Sequence, residues 1–456
     1  MRNFKKFKIN FDILSKYLFV FSLSMIIFCY GYFVHSEKIF PFWYLQKAKD
    51  VIKSILFDKN ANTWDGNDNI FYFYKPTNFT KIIPMYDKNA ANNGLSLVTS
   101  IIENNSLSMK IIDMEGIVVH KWNVDWFDIW PDVEHLPKES IPKDKPGTHI
   151  HGAVLLDNGN LVFNYEHLGM VMLDVCGNIV WRLPYRTHHS IYLDEYNNLW
   201  VSGQKNHEIP DPAFPNYEPP FIEPFVLKVS LKGEILNEIS IMDLLKDNDL
   251  QSLLYMSSRN NYSPKITGDA LHLNDVETFP SYMEEGVFKA GDIMVSLRNI
   301  NAIIVFNEKT RKIKYVSIGG FIRQHDPDFI DGNTISIFDN NNIAPYKSGQ
   351  QSRILIKSYL NNQSIVYYSG SKQKSFYSLI MGKHQWLQNG NLLITEGSEG
   401  RAFEIDKNGN IVWEYINIID DGYVGIVEEV QRLPTNFTKE FFKQETQKCN
   451  NFFRNK

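Results

Sequence analysis

Cysteine is scarce in this sequence: the 456 residues contain three, Cys29, Cys176 and Cys449. Three cysteines cannot build a disulfide-dense scaffold, and their spacing fits no zinc-ribbon pattern. An excess of positive charge is also missing, because 47 Lys and Arg residues face 52 Asp and Glu residues, for a net charge of −5. This balance argues against a broad nucleic-acid-binding surface. Apolar residues make up 43% and charged residues 22%, which excludes global disorder and coiled coil and indicates a folded chain.

Long apolar runs are confined to the N-terminus, where residues 17–34 are uncharged and mostly apolar. The run is just long enough to cross a bilayer, or to form the core of a signal peptide. No small-x-small cleavage site follows it. Five basic residues precede it against one acid, Asp12; they are Arg2, Lys5, Lys6, Lys8 and Lys16. By the positive-inside rule we predict an uncleaved single-pass signal anchor, with residues 1–16 in the cytoplasm and the rest on the periplasmic or extracellular side.

Six copies of one strand-and-turn pattern follow a membrane-proximal connector, which we assign to residues 35–80. Each copy begins with a turn before a short strand, with Asn-Gly or Gly-Asn in four of the six, as in 157–165 and 388–395, and continues as strand, turn, strand, as in 171–183 and 403–415. Units of three or four short strands cannot bury their faces alone, and radial stacking solves this problem. We therefore predict an all-β fold, a six-bladed β-propeller over residues 81–434, with a few peripheral helices.

The ends of the repeat region suggest how the ring closes. Residues 427–434 resemble the strand that opens the other repeats, and the first repeat lacks a clear strand of this kind. We predict that 424–434 returns to complete the first blade, and that residues 435–456 form a helical tail. Three insertions, 124–146, 204–224 and 241–260, are expected to be lids, binding walls or surface decoration. The third has helical spacing.

Histidines occur at one phase of five repeats, just before the Gly/Asn turn on the presumed opening strand. Since the opening strand of each propeller blade lines the central channel, equivalent positions should converge on one axis. Core histidines satisfied by backbone groups, or a transition-metal site, are the alternatives. The histidines in question are His149, His151, His188, His189, His272, His325 and His384.

Arg298 ends a predicted strand of the fourth repeat and is expected at the channel mouth. There its guanidinium would bind a tetrahedral oxyanion. Few acids are expected beside the channel, so the pattern favours an anion-binding mouth over a hard-cation cage. The acids expected there are Asp275, Asp326, Asp339 and Glu396.

Four short motifs, taken in order with the repeats, resemble the arylsulfate sulfotransferase family. They are THHS at 187–190, ALHLND at 270–275, VSLRN at 295–299 and RQHD at 323–326. Members are bacterial periplasmic six-bladed propellers that move a sulfuryl group from one phenolic sulfate ester to another phenol without a nucleotide sulfate donor. The resemblance implies that His325 becomes sulfated and that His189, His272 and Arg298 support it. The family's HHD reads HHS here.

The remaining predictions follow from this resemblance. His151, His188 and His384 are expected to contact substrate, with no cofactor and no metal. The partners would be an aryl sulfate donor, a phenolic acceptor and the membrane, with no nucleic acid. Asp326 or a backbone carbonyl would fix the tautomer of His325, and either His189 or His272 would move the phenolic proton. The competing hypotheses are a membrane-tethered binding propeller without chemistry and a quinone- or metal-dependent oxidoreductase.

Overall fold

A computed structural model describes residues 11–37, 40–41, 74–258, 265–343, 350–371, 374–420 and 422–454. The chain forms two compact units, Met1–Tyr72 and Phe73–Lys456. In the first unit, helix α1 (Phe11–Glu37) contains the predicted apolar run. Its segment Leu14–Glu37 is long and apolar enough to cross a membrane, since 24 residues at about 1.5 Å each exceed a hydrocarbon core of about 30 Å. A helix of this kind near the N-terminus is a membrane anchor or a signal sequence.

The second unit is a six-bladed β-propeller, which confirms the predicted fold. Its strands are β1 (Tyr74–Pro76), β2 (Met85–Tyr86), β3 (Ser96–Ile102), β4 (Ser106–Ile112), β5 (Val118–Trp122), β6 (Ile150–Leu155), β7 (Leu161–Tyr165), β8 (Gly169–Leu173), β9 (Ile179–Leu183), β10 (Thr187–Leu193), β11 (Asn198–His207), β12 (Tyr217–Ser230), β13 (Ile235–Ser240), β14 (Ile266–Gly268), β15 (Leu273–Thr278), β16 (Asp292–Leu297), β17 (Ala302–Asn307), β18 (Ile313–Ile318), β19 (His325–Asp331), β20 (Thr334–Asp339), β21 (Arg353–Ser358), β22 (Ser364–Ser369), β23 (Lys383–Trp386), β24 (Leu392–Glu396), β25 (Arg401–Ile405), β26 (Ile411–Ile416), β27 (Ile418–Asp420), β28 (Tyr423–Gly425) and β29 (Val427–Arg432).

Each blade is an antiparallel sheet of four strands. Blade 1 is β29-β3-β4-β5, and blades 2 to 6 begin at β6, β10, β15, β19 and β23 and continue in chain order. Blade 3 gains β14, blade 6 gains β2, and β1, β28 and β27 form a small separate sheet. The first strands of successive blades contact one another around the ring, so they are the strands that surround the axis.

Ring closure follows the prediction, because β29 pairs with β3 in blade 1, with Val430 opposite Val98. The first and last parts of the propeller thus share one sheet. The tail forms helix α4 (Lys439–Arg454), whose Phe442 packs against Trp122 of blade 1. A disulfide between Cys176 and Cys449 links this helix to the turn between β8 and β9. This is the single disulfide that the cysteine count allows.

The insertions take three different forms. Residues 124–146 contain the short helix α2 (Trp126–Ile129) and a turn of 3-10 helix at Lys138–Ser140. The segment 204–224 is largely an extension of β11 and β12, which stay paired from Gln204 opposite Pro224 to His207 opposite Phe221. The helix expected over 241–260 is shorter, since α3 (Ile241–Lys246) ends early and a 3-10 turn follows at Gln251–Tyr255. Further 3-10 turns are Glu103–Asn105, Arg298–Ile300 and Gly397–Glu399.

Apolar side chains fill the spaces between blades. Within the described residues, each of six apolar clusters joins two neighbouring blades, as Phe163 of blade 2 and Met109 of blade 1 illustrate. Burial of this surface is the main force that holds the ring together. The core therefore lies between the blades, and the axis is left to polar side chains.

Candidate active site

A β-bulge recurs in the innermost strand of five blades, at one point of the repeat. An extra residue there turns consecutive side chains towards the axis. The bulge in β6 requires glycine at position 152, because φ there is 94° and a Cβ would lie 2.2 Å from the carbonyl oxygen of His189. The pairing register shifts between Ile150 and Ala153, His188 and Ile191, Leu273 and Asp275, His325 and Asp328, and Val427 and Glu429.

The bulges bring four of the predicted histidines together. His189 lies at the centre: its ring centroid is 4.0 Å from that of His151, 4.9 Å from that of His272 and 6.2 Å from that of His325. All four are buried. The rings of His189 and His325 are within 28° of parallel. The predicted convergence on one axis is therefore what the fold produces.

The hydrogen bonds of His325 define its tautomer. Nδ1 lies 2.7 Å from Oδ1 of Asn340 and 3.1 Å from the carbonyl oxygen of Arg323. Asn340 is oriented by Nδ2, which donates to the carbonyl oxygens of Ser378 at 3.0 Å and Met381 at 2.7 Å. Both partners of Nδ1 are thus acceptors, so Nδ1 carries the proton. Nε2 keeps its lone pair and makes no hydrogen bond to any described residue.

Asp326 does not fix this tautomer, contrary to one of the two expectations; a backbone carbonyl and the Asn340 amide do. The positive φ of 48° at Asp326 turns its carboxylate away from His325. It accepts hydrogen bonds instead from Lys383 at 2.6 Å and from the His384 backbone N–H at 2.6 Å. Burial, reinforced by the positive charge of Arg298, holds the pKa of His325 well below its usual value. The ring is therefore neutral at physiological pH.

The two supporting histidines belong to a hydrogen-bonded series. Nδ1 of His272 bonds to a carboxylate oxygen of Asp269. Nε2 of His272 lies 3.3 Å from Nε2 of His189, and Nδ1 of His189 lies 2.8 Å from Nδ1 of His188. Burial keeps the pKa values of His188 and His189 well below their usual range, and burial with Arg298 lowers that of His272 to about 4.

Glu166 is a site residue that the sequence reasoning missed. Its carboxylate lies 3.0 Å from Nδ1 of His151, 3.0 Å from Nε2 of His167 and 3.7 Å from Nδ1 of His189. Burial alone would raise its pKa, but the three imidazoles outweigh burial and hold the pKa well below the usual value. Glu166 directly follows the second strand of its blade, as Arg298 does in blade 4. That shared phase is a signal that could have found it.

Arg298 is half-buried beside the histidines. Its backbone N–H donates to the carbonyl oxygen of His272 at 2.9 Å, and Nε lies 3.4 Å from Oδ1 of Asn299. Burial, together with nearby Arg323, lowers the pKa of Arg298 to about 10 although Asp269 opposes this. The group stays cationic at neutral pH. Its two terminal nitrogens make no hydrogen bond within the described part of the chain, so they are available to an anion.

A second polar cluster crosses the axis and changes the expectation for His384. Nζ of Lys383 bonds to Oγ of Ser190, in the opposite blade, as well as to Asp326. His384 contacts this cluster rather than the other histidines: Nδ1 lies 3.0 Å from Asp326 and Nε2 lies 2.7 Å from Oγ of Ser336. Both of its ring nitrogens are occupied, so His384 does not fit the predicted substrate-binding role.

Carboxylates along the axis are also more numerous than expected. Burial raises the pKa of Asp275 to about 6 and that of Glu429 to about 7, and raises those of Glu277 and Asp328 well above normal. By contrast, two of the predicted acids pair with arginines within their own blades: Asp339 with Arg353, and Glu396 with Arg401. Asp275 was among the expected acids, whereas Glu277, Asp328 and Glu429 were not; all four lie on innermost strands that carry a register shift.

Several of these groups have the spacing of metal ligands. The sets His149, His151 and Glu428; His151, Glu166 and His189; Glu166, His167 and His188; and Asp326, Asp328 and His384 each place their ligand atoms within 4.8 Å of one another. Hydrogen bonds and ion pairs already connect these atoms; His149 and Glu428, for example, are 2.7 Å apart. We therefore describe them as imidazole–carboxylate pairs.

The fold and site together define a propeller with a cluster of buried histidines at its axis and an adjoining arginine. A sequence profile of the arylsulfotransferase (ASST) family matches residues 152–418, more than half of the chain and the part that carries His189, His272, His325 and Arg298. The chain belongs to the arylsulfotransferase family. No curated protein sequence matches it significantly.

Solved propellers resemble the chain at a distance. A protein of unknown function from Bacteroides caccae is 13% identical, with a TM-score of 0.44 over 74% of this chain and 98% of that one. A streptogramin B lyase is 11% identical, with a TM-score of 0.37 over 76% and 88%. A virginiamycin B lyase from Staphylococcus aureus is 14% identical, with a TM-score of 0.33 over 59% and 70%. No property is transferred from them.

Proposed function

We propose that this protein transfers a sulfuryl group from an aryl sulfate ester to a phenolic acceptor through a sulfated His325, without a nucleotide sulfate donor. The observation that carries the proposal is the tautomer of His325. Its Nδ1 proton is held by Asn340 and a backbone carbonyl, which leaves the Nε2 lone pair for attack on sulfur. Membership of the arylsulfotransferase family supports the same reaction class.

A neutral buried imidazole suits this role. Sulfuryl transfer resembles phosphoryl transfer, in which a loose transition state makes positioning and charge stabilisation the main contributions of the protein. The low pKa of His325 means that no proton has to leave before Nε2 attacks. A covalent intermediate divides one difficult transfer into two easier ones.

Arg298 is the group we assign to the sulfonate oxygens. Its charge persists at neutral pH, and its terminal nitrogens make no hydrogen bond within the described residues. Among the charged groups, Arg298 lowers the pKa of His325 the most. A planar guanidinium can hold two oxygens of a tetrahedral anion at once. The same contacts would strengthen as charge moves between nitrogen, sulfur and oxygen.

Mass spectrometry tests the nucleophile directly. The full chain, purified in detergent, is mixed with a fluorogenic aryl sulfate and its peptides are searched for one added SO3. We expect the adduct on the peptide that holds His325 and its discharge by phenol. His325→Asn should abolish the adduct, whereas His207→Asn, at the end of β11 in blade 3, should not. A fully active His325→Asn variant would contradict the assignment. Folded wild-type protein without adduct or phenol release would favour a binding propeller.

We also propose that α1 anchors the propeller on the periplasmic or extracellular side. Basic residues precede the helix, as the positive-inside rule requires for a cytoplasmic N-terminus. The Cys176–Cys449 disulfide suits an oxidising compartment. Proteolysis of intact spheroplasts should digest the propeller if this orientation is correct, and should spare it if the propeller faces the cytoplasm.

A further inference from the structure

Asp269 stands just before the histidine series, and its carboxylate is devoted to one residue. Oδ1 accepts the backbone N–H of His272 at 2.9 Å, and Oδ2 bonds to Nδ1 of the same histidine. The loop is held in place because Nδ2 of Asn299 donates to the carbonyl oxygen of Asp269 at 2.6 Å. The positive φ of 55° at His272 allows this return contact. Asp269 therefore fixes both the ring orientation and the tautomer of His272.

The tautomer of His272 sets the direction of the series. A carboxylate accepts but does not donate, so Nδ1 of His272 carries a proton and Nε2 has a lone pair. The neighbouring Nε2–H of His189, 3.3 Å away, can then donate to it. By the same reasoning Nδ1–H of His188 donates to Nδ1 of His189 at 2.8 Å. Nε2 of His272 is thus the acceptor at the carboxylate-supported end.

A second imidazole–carboxylate pair, His151 with Glu166, competes for the same role. The geometry favours His272 for two reasons. Glu166 lies within 3.7 Å of three imidazoles, whereas both carboxylate oxygens of Asp269 bond to His272, although the charge of Asp269 also acts on Arg298 and His188. His272 also shares a hairpin with the predicted sulfonate-binding residue, because it precedes β15, Arg298 follows β16, and their backbones bond at 2.9 Å. The residue assigned to the sulfonate oxygens and the proposed proton carrier are therefore neighbours at one end of the same hairpin.

We propose that Asp269 is the positioning residue of the acid–base catalyst, and that Nε2 of His272, rather than His189, exchanges the phenolic proton in both half-reactions. This inference rests on the proposed sulfuryl transfer.

The two half-reactions balance with one proton on His272. In the first, the Nε2 lone pair of His325 forms the N–S bond, the ester S–O bond breaks, and the departing phenolate takes the proton from Nε2 of protonated His272. In the second, the acceptor oxygen forms a new S–O bond, the N–S electron pair returns to His325, and the phenolic proton passes to Nε2 of His272. The anionic donor brings a negative charge that favours the protonated starting state.

The charged and titratable groups around His272 act in opposite directions. Burial and Arg298 favour the neutral ring, and Asp269 favours the protonated one. The other titratable neighbours are imidazoles: His167, His188, His189 and His325. Sulfation needs protonated His272, so its rate should fall as pH rises through the pKa of that group. Removing the Asp269 charge should move this fall to lower pH.

The test is the leaving-group dependence of Asp269→Asn in the full chain. Asparagine keeps the shape and an acceptor oxygen but removes the charge. With phenyl sulfate, whose phenolate needs a proton, we expect a loss of about 100-fold, within the range for general acid catalysis. With 4-nitrophenyl sulfate, whose leaving group departs unprotonated, the loss should be small. Asp243→Asn, at an exposed position of α3, controls for an Asp-to-Asn change.

Several outcomes separate the explanations. Equal losses with both esters would mean that Asp269 is only structural, which overturns the proposal. A steep leaving-group dependence in Glu166→Gln, with none in Asp269→Asn, would transfer the role to His151 and also overturn it. If wild-type protein releases no phenol from either ester, the sulfuryl-transfer function itself fails. In that case a downfield imidazole proton in 15N-histidine spectra, lost in Asp269→Asn, would still show the bond to His272.

Discussion

The nucleophile is expected to depend on a neutral hydrogen-bond partner, and Asn340→Asp tests this. The change keeps the side-chain volume and still offers an acceptor to Nδ1 of His325, now from a carboxylate. A negative charge there should stabilise the protonated imidazole, in which Nε2 has no lone pair. With 4-nitrophenyl sulfate, whose leaving group needs no proton from His272, the variant should therefore lose sulfation activity at neutral pH and recover it at higher pH.

The size of the effect follows from the contact distance. Nδ1 and Oδ1 are 2.7 Å apart, so the centres of the two charges would lie about 4 Å apart. At an effective dielectric constant of about 20, two unit charges at that distance attract by about 4 kcal/mol. One pKa unit corresponds to about 1.4 kcal/mol, so the acid limb of the rate profile should move upward by about 3 pH units.

The assay measures the rate at which the sulfated enzyme forms between about pH 5 and about pH 9, because this range spans the ordinary pKa of histidine. Asn417→Asp is the matched control, since Nδ2 of Asn417 also holds backbone carbonyls, of Ile101 at 2.8 Å and Gly425 at 3.1 Å, but no histidine. Both variants lose buried amide donors and should lose similar stability. An unmoved acid limb in Asn340→Asp would refute the assigned tautomer.

Two further predictions concern stability. Reducing the disulfide, whose cysteines are 273 residues apart, should lower the unfolding free energy by up to roughly 5 kcal/mol in the chain-entropy description, and urea unfolding with and without reductant would show no difference if the bond is absent. Lys383→Met should cost about 3–5 kcal/mol because Asp326 loses its cation at 2.6 Å. That loss should shrink as pH falls and the carboxylate gains a proton, so a pH-independent difference in unfolding free energy would contradict the ion-pair account.

The fold was predictable because it depends on local signals. Asn-Gly and Gly-Asn turns before short apolar strands recur in register, and each marks a hairpin without knowledge of any distant contact. Ring closure was also readable, since 427–434 has the pattern of an opening strand. The extension of β11 and β12 over residues 204–224 was not predictable, because this segment contains prolines and resembles a loop in sequence. A strand can contain proline at an edge position, where no backbone N–H has to be donated to a neighbouring strand.

The site was only partly predictable from the sequence. The repeat phase indicates that His151, His189, His272 and His325 approach one axis, and the structure brings these four together. The repeat phase alone cannot distinguish His384 from these four histidines, although the ring of His384 lies in the polar cluster of Lys383 and Asp326. His384 also differs in its strand, because β23 pairs with β24 without the register shift seen in the other five innermost strands. Glu166 and Asn340 were missed because each reaches its histidine across a hairpin, and Asp269 was missed because its contact depends on the positive φ of His272, three residues later.

The two chemical roles that we propose correspond to two kinds of hydrogen-bond partner. His325 has a neutral amide on Nδ1, and the carboxylate next to it in sequence, Asp326, is turned away to Lys383. His272 has the carboxylate of Asp269 instead. A charged partner favours proton uptake, and a neutral one leaves burial to oppose it. Both imidazoles are buried at the axis, so this difference in partners should give His272 the higher proton affinity. A general acid beside a nucleophile requires that ordering.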